Sequence, residues 1–145
     1  MLLKCYRASL IFMIWGSLML AVSAENTDYR RINEGTEGQK IELSSHLIEG
    51  KLNIIDFYSE FCPPCKAIAP ALERLAQNDP NVVVGTLDIN RPKVRGIDWS
   101  SPLAQQYKLR GIPHFKIYDA EGKLVAEGRE AKMKVADLLR KNSIR

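Results

Sequence analysis

Two stretches of this chain are apolar at nearly every position and bounded by turn residues, the pattern of strands buried on both faces. Residues 52–58 (Leu52-Asn53-Ile54-Ile55-Asp56-Phe57-Tyr58) are the first, and residues 81–89, around Val82-Val83-Val84, the second. Between them residues 62–78 have helical spacing. Pro70 lies inside that helix, where its missing N–H and its ring predict a kink. Gln39-Lys40-Ile41-Glu42-Leu43 alternates and predicts a short strand. Ser44-Ser45 then cap a turn of helix through Glu49, ended by Gly50. Residues 90–99 read as irregular, with Pro92 and Gly96 among them. Ser100 or Ser101 caps a helix to Tyr107, with Pro102 in its first turn. Gly111-Ile112-Pro113 leads into a strand at 114–118; Asp119 to Gly122 turn it, and 123–127 pair back as a hairpin. Residues 130–141 form an amphipathic helix, placing Met133, Val135, Ala136, Leu138 and Leu139 mostly inward. The order β, β, α, β, α, β, β, α predicts an α/β fold: a mixed central sheet, parallel in its core and extended by an antiparallel hairpin, with helices on both faces.

The two ends of the chain differ from this pattern. Lys4 and Arg7 precede an apolar run at residues 8–20, and Ala21-Val22-Ser23-Ala24 puts small residues before Glu25. That is the layout of a secretory signal peptide over residues 1–24. The competing reading is an uncleaved anchor, since residues 8–24 reach the low edge of a bilayer-spanning length. Small residues at the exit and the acidic Glu25 and Asp28 beyond favour cleavage. The expected location is therefore periplasmic or secreted. Residues 25–38 are polar, carry Gly35 and Gly38, and read as a flexible leader. Residues 39–145 then form one domain.

Charge adds little. The chain has a formal net charge of +4, of which Lys4 and Arg7 supply two. No basic stripe with interleaved aromatics is present, so nucleic acid is not an expected partner. Cysteine usage changes the picture more. There are three cysteines, and Cys5 lies within the signal, leaving Cys62 and Cys65. A pair this close closes no long loop and makes no structural framework. A zinc site needs two further ligands, and the only histidines, His46 and His114, lie far apart in sequence. No metal and no cofactor are expected.

Cys62-Pro63-Pro64-Cys65 falls where the first buried strand gives way to helix, the setting of a dithiol that cycles to a disulfide. The helix N-terminus under the first cysteine favours a thiolate through its unpaired N–H groups and partial positive charge. Asp56, inside the apolar strand, is expected to have a pKa raised by desolvation. The bland alternatives are two free structural thiols and an Asp at a strand end facing water.

Residues 40–141 resemble the thioredoxin superfamily. The resemblance rests on the stretch from Asp56 through Phe61-Cys62-Pro63-Pro64-Cys65-Lys66, on Pro70 in the first long helix, on Gly111-Ile112-Pro113, and on Gly122 and Gly128 in the last hairpin and the turn after it. It implies a thioredoxin-like fold in which Ile112-Pro113 forms a cis-proline loop facing the dithiol. It also implies that Cys62 is the exposed nucleophile that forms a mixed disulfide with substrate, and that the more buried Cys65 resolves it. Asp56 then exchanges a proton with Cys65, while Phe61, Pro63, Ile112 and Pro113 contact an extended substrate strand.

Three departures bear on chemistry. Phe61 stands where cytosolic thioredoxins carry Trp, and Pro63 where they carry Gly. Residues 90–101 are longer than in a minimal thioredoxin and resemble the loop of secreted and periplasmic members. That loop either shapes partner choice or is a solvated insertion. His114 either tunes the dithiol or is a strand side chain with a satisfied hydrogen bond. The expected activity is an exported protein-disulfide reductase acting on disulfide-containing or thiol proteins. An oxidising compartment cannot recharge the dithiol by itself, so a membrane electron donor is an expected partner. The alternatives are a disulfide-forming oxidant and a non-catalytic binding module.

Overall fold

The computed structural model describes residues 28–144. The expected signal segment, and Cys5 with it, lies outside the described residues. The elements are β1 (Tyr29–Arg31), a 3-10 turn (Leu43–His46), β2 (Leu52–Tyr58), α1 (Pro63–Asn78), β3 (Val82–Asp88), α2 (Pro102–Gln106), β4 (His114–Tyr118), β5 (Leu124–Glu127) and α3 (Gly128–Lys141). Among the described residues no helix is long and apolar enough to cross a membrane.

The five strands form one sheet in the order β1-β3-β2-β4-β5. β1 and β2 flank β3 in parallel; β4 runs antiparallel to β2, and β5 antiparallel to β4. β2 and β3 lie in the middle, which is why both read as continuous apolar runs. Alternation along β2 sends Ile54 to one face and Ile55 and Phe57 to the other. Ile54 joins Leu72 and Leu75 of α1, Phe115 and Ile117 of β4, and Ala131 and Val135 of α3. Ile55 and Phe57 join Leu87, Leu103, Ala104 and Leu109 on the opposite face, under α2 and the 3-10 turn. Helices thus cover both faces of a mixed sheet, as expected.

Five expectations need correction. The turn of helix expected from Ser44-Ser45 through Glu49 is a 3-10 turn at Leu43–His46, which follows Glu42 and is not capped by either serine. The segment expected as a flexible leader contains β1, an edge strand paired from Tyr29↔Val84 to Arg31↔Thr86. Its short polar sequence hides it, because three residues of an edge strand carry no periodicity. Gly85 of β3 makes room for the chain beyond it: any Cβ there would collide with the Ile32 side chain. Residues 39–43 form no strand. The Ile41 N–H donates to Gln106 Oε1 at 3.0 Å, and the Ile41 carbonyl accepts from Gln106 Nε2 at 2.9 Å and from the Tyr107 hydroxyl at 2.8 Å. Side chains of α2 and its end therefore take the place of a neighbouring strand. Met133 is 55 % exposed, and Ala136 is also exposed, so α3 buries Ala131 and Val135 and leaves these two in solvent. Finally, α3 begins at Gly128, two residues earlier than its apolar spacing suggests.

Asn53, the one amide in β2, is fully buried. Its Oδ1 accepts from the Ile48 N–H at 2.7 Å, and its Nδ2 donates to the Ile48 and Lys51 carbonyls at 2.9 and 2.8 Å. It thereby supplies the backbone bonds of the turn before β2. Asn53→Leu is expected to leave those groups unpaired and to cost roughly 1–3 kcal/mol per the penalty for a buried unsatisfied polar group, read as a lower urea midpoint with unchanged slope.

Candidate active site

Ser59, directly after β2, sets the entrance to α1. Its Oγ accepts from the Phe61 N–H at 3.1 Å, and its carbonyl accepts from the Cys62 N–H at 3.0 Å. This turn delivers Cys62 to the N-cap of α1 in an extended backbone conformation, with Pro63 and Pro64 next in the helix. Proline suits these positions because their N–H groups would have no helical partner. The Cys65 N–H is the donor that remains, and it points at Cys62 Sγ from 3.3 Å. The helix end thus stabilises negative charge on that sulfur through one aimed amide.

Cys62 and Cys65 are joined as a disulfide, with Cα atoms 5.3 Å apart. Cys62 Sγ lies 3.7 Å from the carbonyl oxygen of Ile112. The Ile112–Pro113 peptide bond is cis. The structure therefore brings Cys62 and Cys65 together with Ile112 and Pro113 across 50 residues of sequence. Phe61 is 47 % exposed and Pro63 is exposed beside them, so the rim around the sulfur is apolar. The expected difference in exposure between the two cysteines is absent: each is 2 % exposed. In the oxidised form Cys62 is covered by its bond to Cys65 and by the Ile112 loop. What separates the two is their surroundings, with Cys62 against the Ile112 carbonyl and Cys65 within α1.

Asp56 points from β2 to the same sheet face as Ile54, toward α1. It is 2 % exposed, and its Oδ1 is buried without a hydrogen-bond partner. Burial pushes its carboxyl up to about 7. Asp56 and Cys65 line one cleft of about 390 Å³, together with Tyr29, Arg31, Tyr58, Glu60 and Lys66. Burial, then the Asp56 charge, raise the Tyr29 phenol above its ordinary value. Burial and the Asp88 charge push Tyr58 up to about 12. Both phenols are therefore neutral near pH 7, and the cleft gives Asp56 a route to solvent for a proton. Tyr29 and Arg31 have no sequence signal for this role; they reach the cleft only because β1 lies beside β3.

The long loop at residues 90–101 is built around a buried carboxylate. Asp98 accepts from Arg91 Nε at 2.7 Å, Arg91 Nη2 at 3.0 Å, the Arg91 N–H at 3.3 Å and the Ser100 hydroxyl at 2.9 Å. The Arg91 hydrogen bond, with lesser help from Ser100, holds its carboxyl down at about 2. Asn90 Oδ1 accepts from the Asp98 N–H at 3.3 Å. This ordered loop and residues 31–37 border a second cleft of about 650 Å³, reached from Phe61 and Glu60. The loop thus forms one wall of a cleft that Glu60 and Phe61, just before Cys62, also line. His114 Nε2 lies 3.3 Å from Glu127 Oε1, and its ring packs edge-on to Phe57. It is a strand side chain with its polar atom engaged.

The model of the family described as Thioredoxin matches residues 39–141. The chain belongs to the thioredoxin family. Members of this family are thiol–disulfide oxidoreductases. A thioredoxin-like protein of Fusarium culmorum is 35 % identical over 97 residues, covering 66 % of this chain and 74 % of that one. A protein disulfide-isomerase of Triticum aestivum is 35 % identical over 78 residues, covering 51 % of this chain but 14 % of its own length. This chain thus spans a small part of the plant isomerases that it matches. The structure of thioredoxin f from spinach chloroplast (long form) has a TM-score of 0.51, over 81 % of this chain and 88 % of that one at 24 % identity, a likeness of fold. The thioredoxin fold accounts for the sheet order, for the dithiol at the start of α1 and for the proline loop opposite.

Proposed function

We propose that this chain is an exported thiol–disulfide oxidoreductase that reduces disulfides in protein substrates through Cys62 and Cys65. The observation that carries the reading is the placement of Cys62 at the N-cap of α1, its sulfur 3.7 Å from the Ile112 carbonyl. A substrate strand laid along Ile112 and Pro113 brings its own disulfide to Cys62. In the reduced protein the Cys62 thiolate attacks one substrate sulfur; the substrate S–S bond breaks, and the other substrate sulfur leaves as a thiolate and takes up a proton. Cys65 loses its proton to Asp56 and attacks Cys62. The second substrate thiolate leaves, and the Cys62–Cys65 disulfide forms. Two electrons have then passed to the substrate. A dithiol-bearing membrane electron donor, reducing Cys62–Cys65 again, completes the cycle. The export reading is supported by the charged start, apolar run and small-residue exit of residues 1–24.

The donors around Cys62 support the reducing direction. Pro63 and Pro64 offer no N–H, so Cys62 keeps one aimed amide. A dithiol whose reduced form is weakly stabilised is a reductant, while a strong oxidant is one whose reduced form is stabilised. The pair is expected to equilibrate below the glutathione poise of an oxidising compartment, about −180 to −210 mV. Titration against glutathione buffers measures this. A more positive potential makes the protein a disulfide-forming oxidant. No turnover of insulin disulfides at any potential makes it a binding module.

A further inference from the structure

One side of the proline loop is strongly basic. A concavity of about 480 Å³ is lined by Ile112 and Pro113 and by Lys108, Arg110, Arg129 and Lys132. The four cations come from two stretches far apart in sequence: the turn after α2, and the N-terminal part of α3. All four are exposed. Among the described residues none of them forms an ion pair. The nearest acids in sequence are already engaged, Glu127 by Lys116 and His114, and Glu130 by Lys134. Lys4 and Arg7 supply two of the chain's four net charges, so the rest carries about +2, and about −2 without these four. Arg129 lies in the first turn of α3, where the helix dipole favours acidic residues and opposes a cation.

We infer that this rim is a docking surface for an acidic stretch of polypeptide flanking the client's disulfide. The inference rests on the reductase reading of the same site, because it is the strand on Ile112 and Pro113 that must continue across the rim. A polypeptide carrying its cysteine to Cys62 places the neighbouring residues against Lys108, Arg110, Arg129 or Lys132. Asp or Glu there finds unpaired cations, and Lys or Arg meets repulsion. The rim therefore selects among clients by their charge beside the cysteine.

The test uses the reduced full chain and three disulfide-bridged peptides that differ only in whether Glu, Gln or Lys flanks the cysteine. The second-order rate constant is expected to be roughly 10-fold higher for the Glu than for the Lys peptide at low salt, within the range of electrostatic steering, with the difference closing at high salt. Lys108→Gln/Arg110→Gln/Arg129→Gln/Lys132→Gln is expected to make all three rates alike and equal to the wild-type rate on the Gln peptide. Equal Glu and Lys rates in the wild type, with the Gln peptide reduced, overturn the docking surface and leave the reductase standing; this comparison needs no variant to fold. A Glu preference that persists in the variant also overturns it. So does binding of an oligonucleotide duplex or of phosphatidylserine vesicles, lost in the variant, with peptide rates alike. Failure to reduce any of the three peptides overturns the reductase reading and the docking surface with it.

Discussion

At pH 8, Asp56→Asn is expected to stabilise the oxidised protein by roughly 2–4 kcal/mol, and at pH 4 to leave stability nearly unchanged. Burial raises the Asp56 carboxyl from 3.8 in the unfolded chain to about 7 in the folded one. Between those values the folded protein holds a proton that the unfolded chain has lost. Stability therefore falls as pH rises through that window, and the whole loss persists above it. One pKa unit corresponds to about 1.36 kcal/mol, so a shift of this size sets an upper bound near 4 kcal/mol. Asn resembles the protonated acid and has no charge to desolvate. Its amide enters a site where Oδ1 has no partner, which brings the gain below that bound. Urea midpoints of both proteins at pH 4 and pH 8 measure the effect. A lower midpoint at pH 8, or a difference that ignores pH, would sink the buried-carboxylate account.

The same substitution separates the two halves of the reaction. Cys62 attack uses the sulfur at the helix start and does not need Asp56. Resolution needs a proton taken from Cys65, and Asp56 shares a cleft with it. Mixed-disulfide formation is expected to persist, while its resolution slows by about a hundred-fold, the lower end of what general acid–base catalysis contributes. The wild-type resolution rate should rise with pH through a midpoint near 7, and that rise should vanish in the variant. Quenched-flow trapping of the intermediate reads both.

The residues that carry this chemistry differ in how far their setting is legible in the sequence. β2 and β3 read plainly because each is buried on both faces, and a continuous apolar run bounded by turn residues is stable only where both faces are covered. The placement of Asp56 follows from that: a carboxylate within such a run is desolvated. β1 is illegible, because three residues of an edge strand carry no periodicity, and with it go Tyr29 and Arg31 beside Asp56. Residues 39–43 mislead for the opposite reason. Their alternation is real, but Gln106 and Tyr107 take up the Ile41 backbone, a tertiary contact that no local pattern reports. The exposure of Cys62 fails for a similar cause. Sequence places it at a helix start, where a side chain is normally open, but the Ile112 loop that closes over it comes from 50 residues away. The basic rim is scattered over Lys108, Arg110, Arg129 and Lys132, so no charge run announces it.

Because both cysteines are equally buried in the oxidised protein, the division of labour between them rests on their neighbours, and the two serine variants should differ sharply. Cys62→Ser is expected to lose reduction of protein disulfides to below about a thousandth of wild type, since a hydroxyl at that position supplies no thiolate nucleophile. Cys65→Ser should keep the attack. Its Cys62 thiolate still sits beside the Ile112 carbonyl and still receives the N–H of residue 65, a backbone group that the substitution does not remove. What it loses is the second sulfur, so the substrate stays attached to Cys62. Incubation with a disulfide-bridged peptide, followed by non-reducing mass spectrometry, should show one peptide mass added to Cys65→Ser and none to Cys62→Ser. The reverse pattern would make Cys65 the attacking residue. That would require a substrate to reach a sulfur set within α1 against Asp56, through the cleft lined by Tyr29 and Lys66, and the proline loop would then face the wrong cysteine.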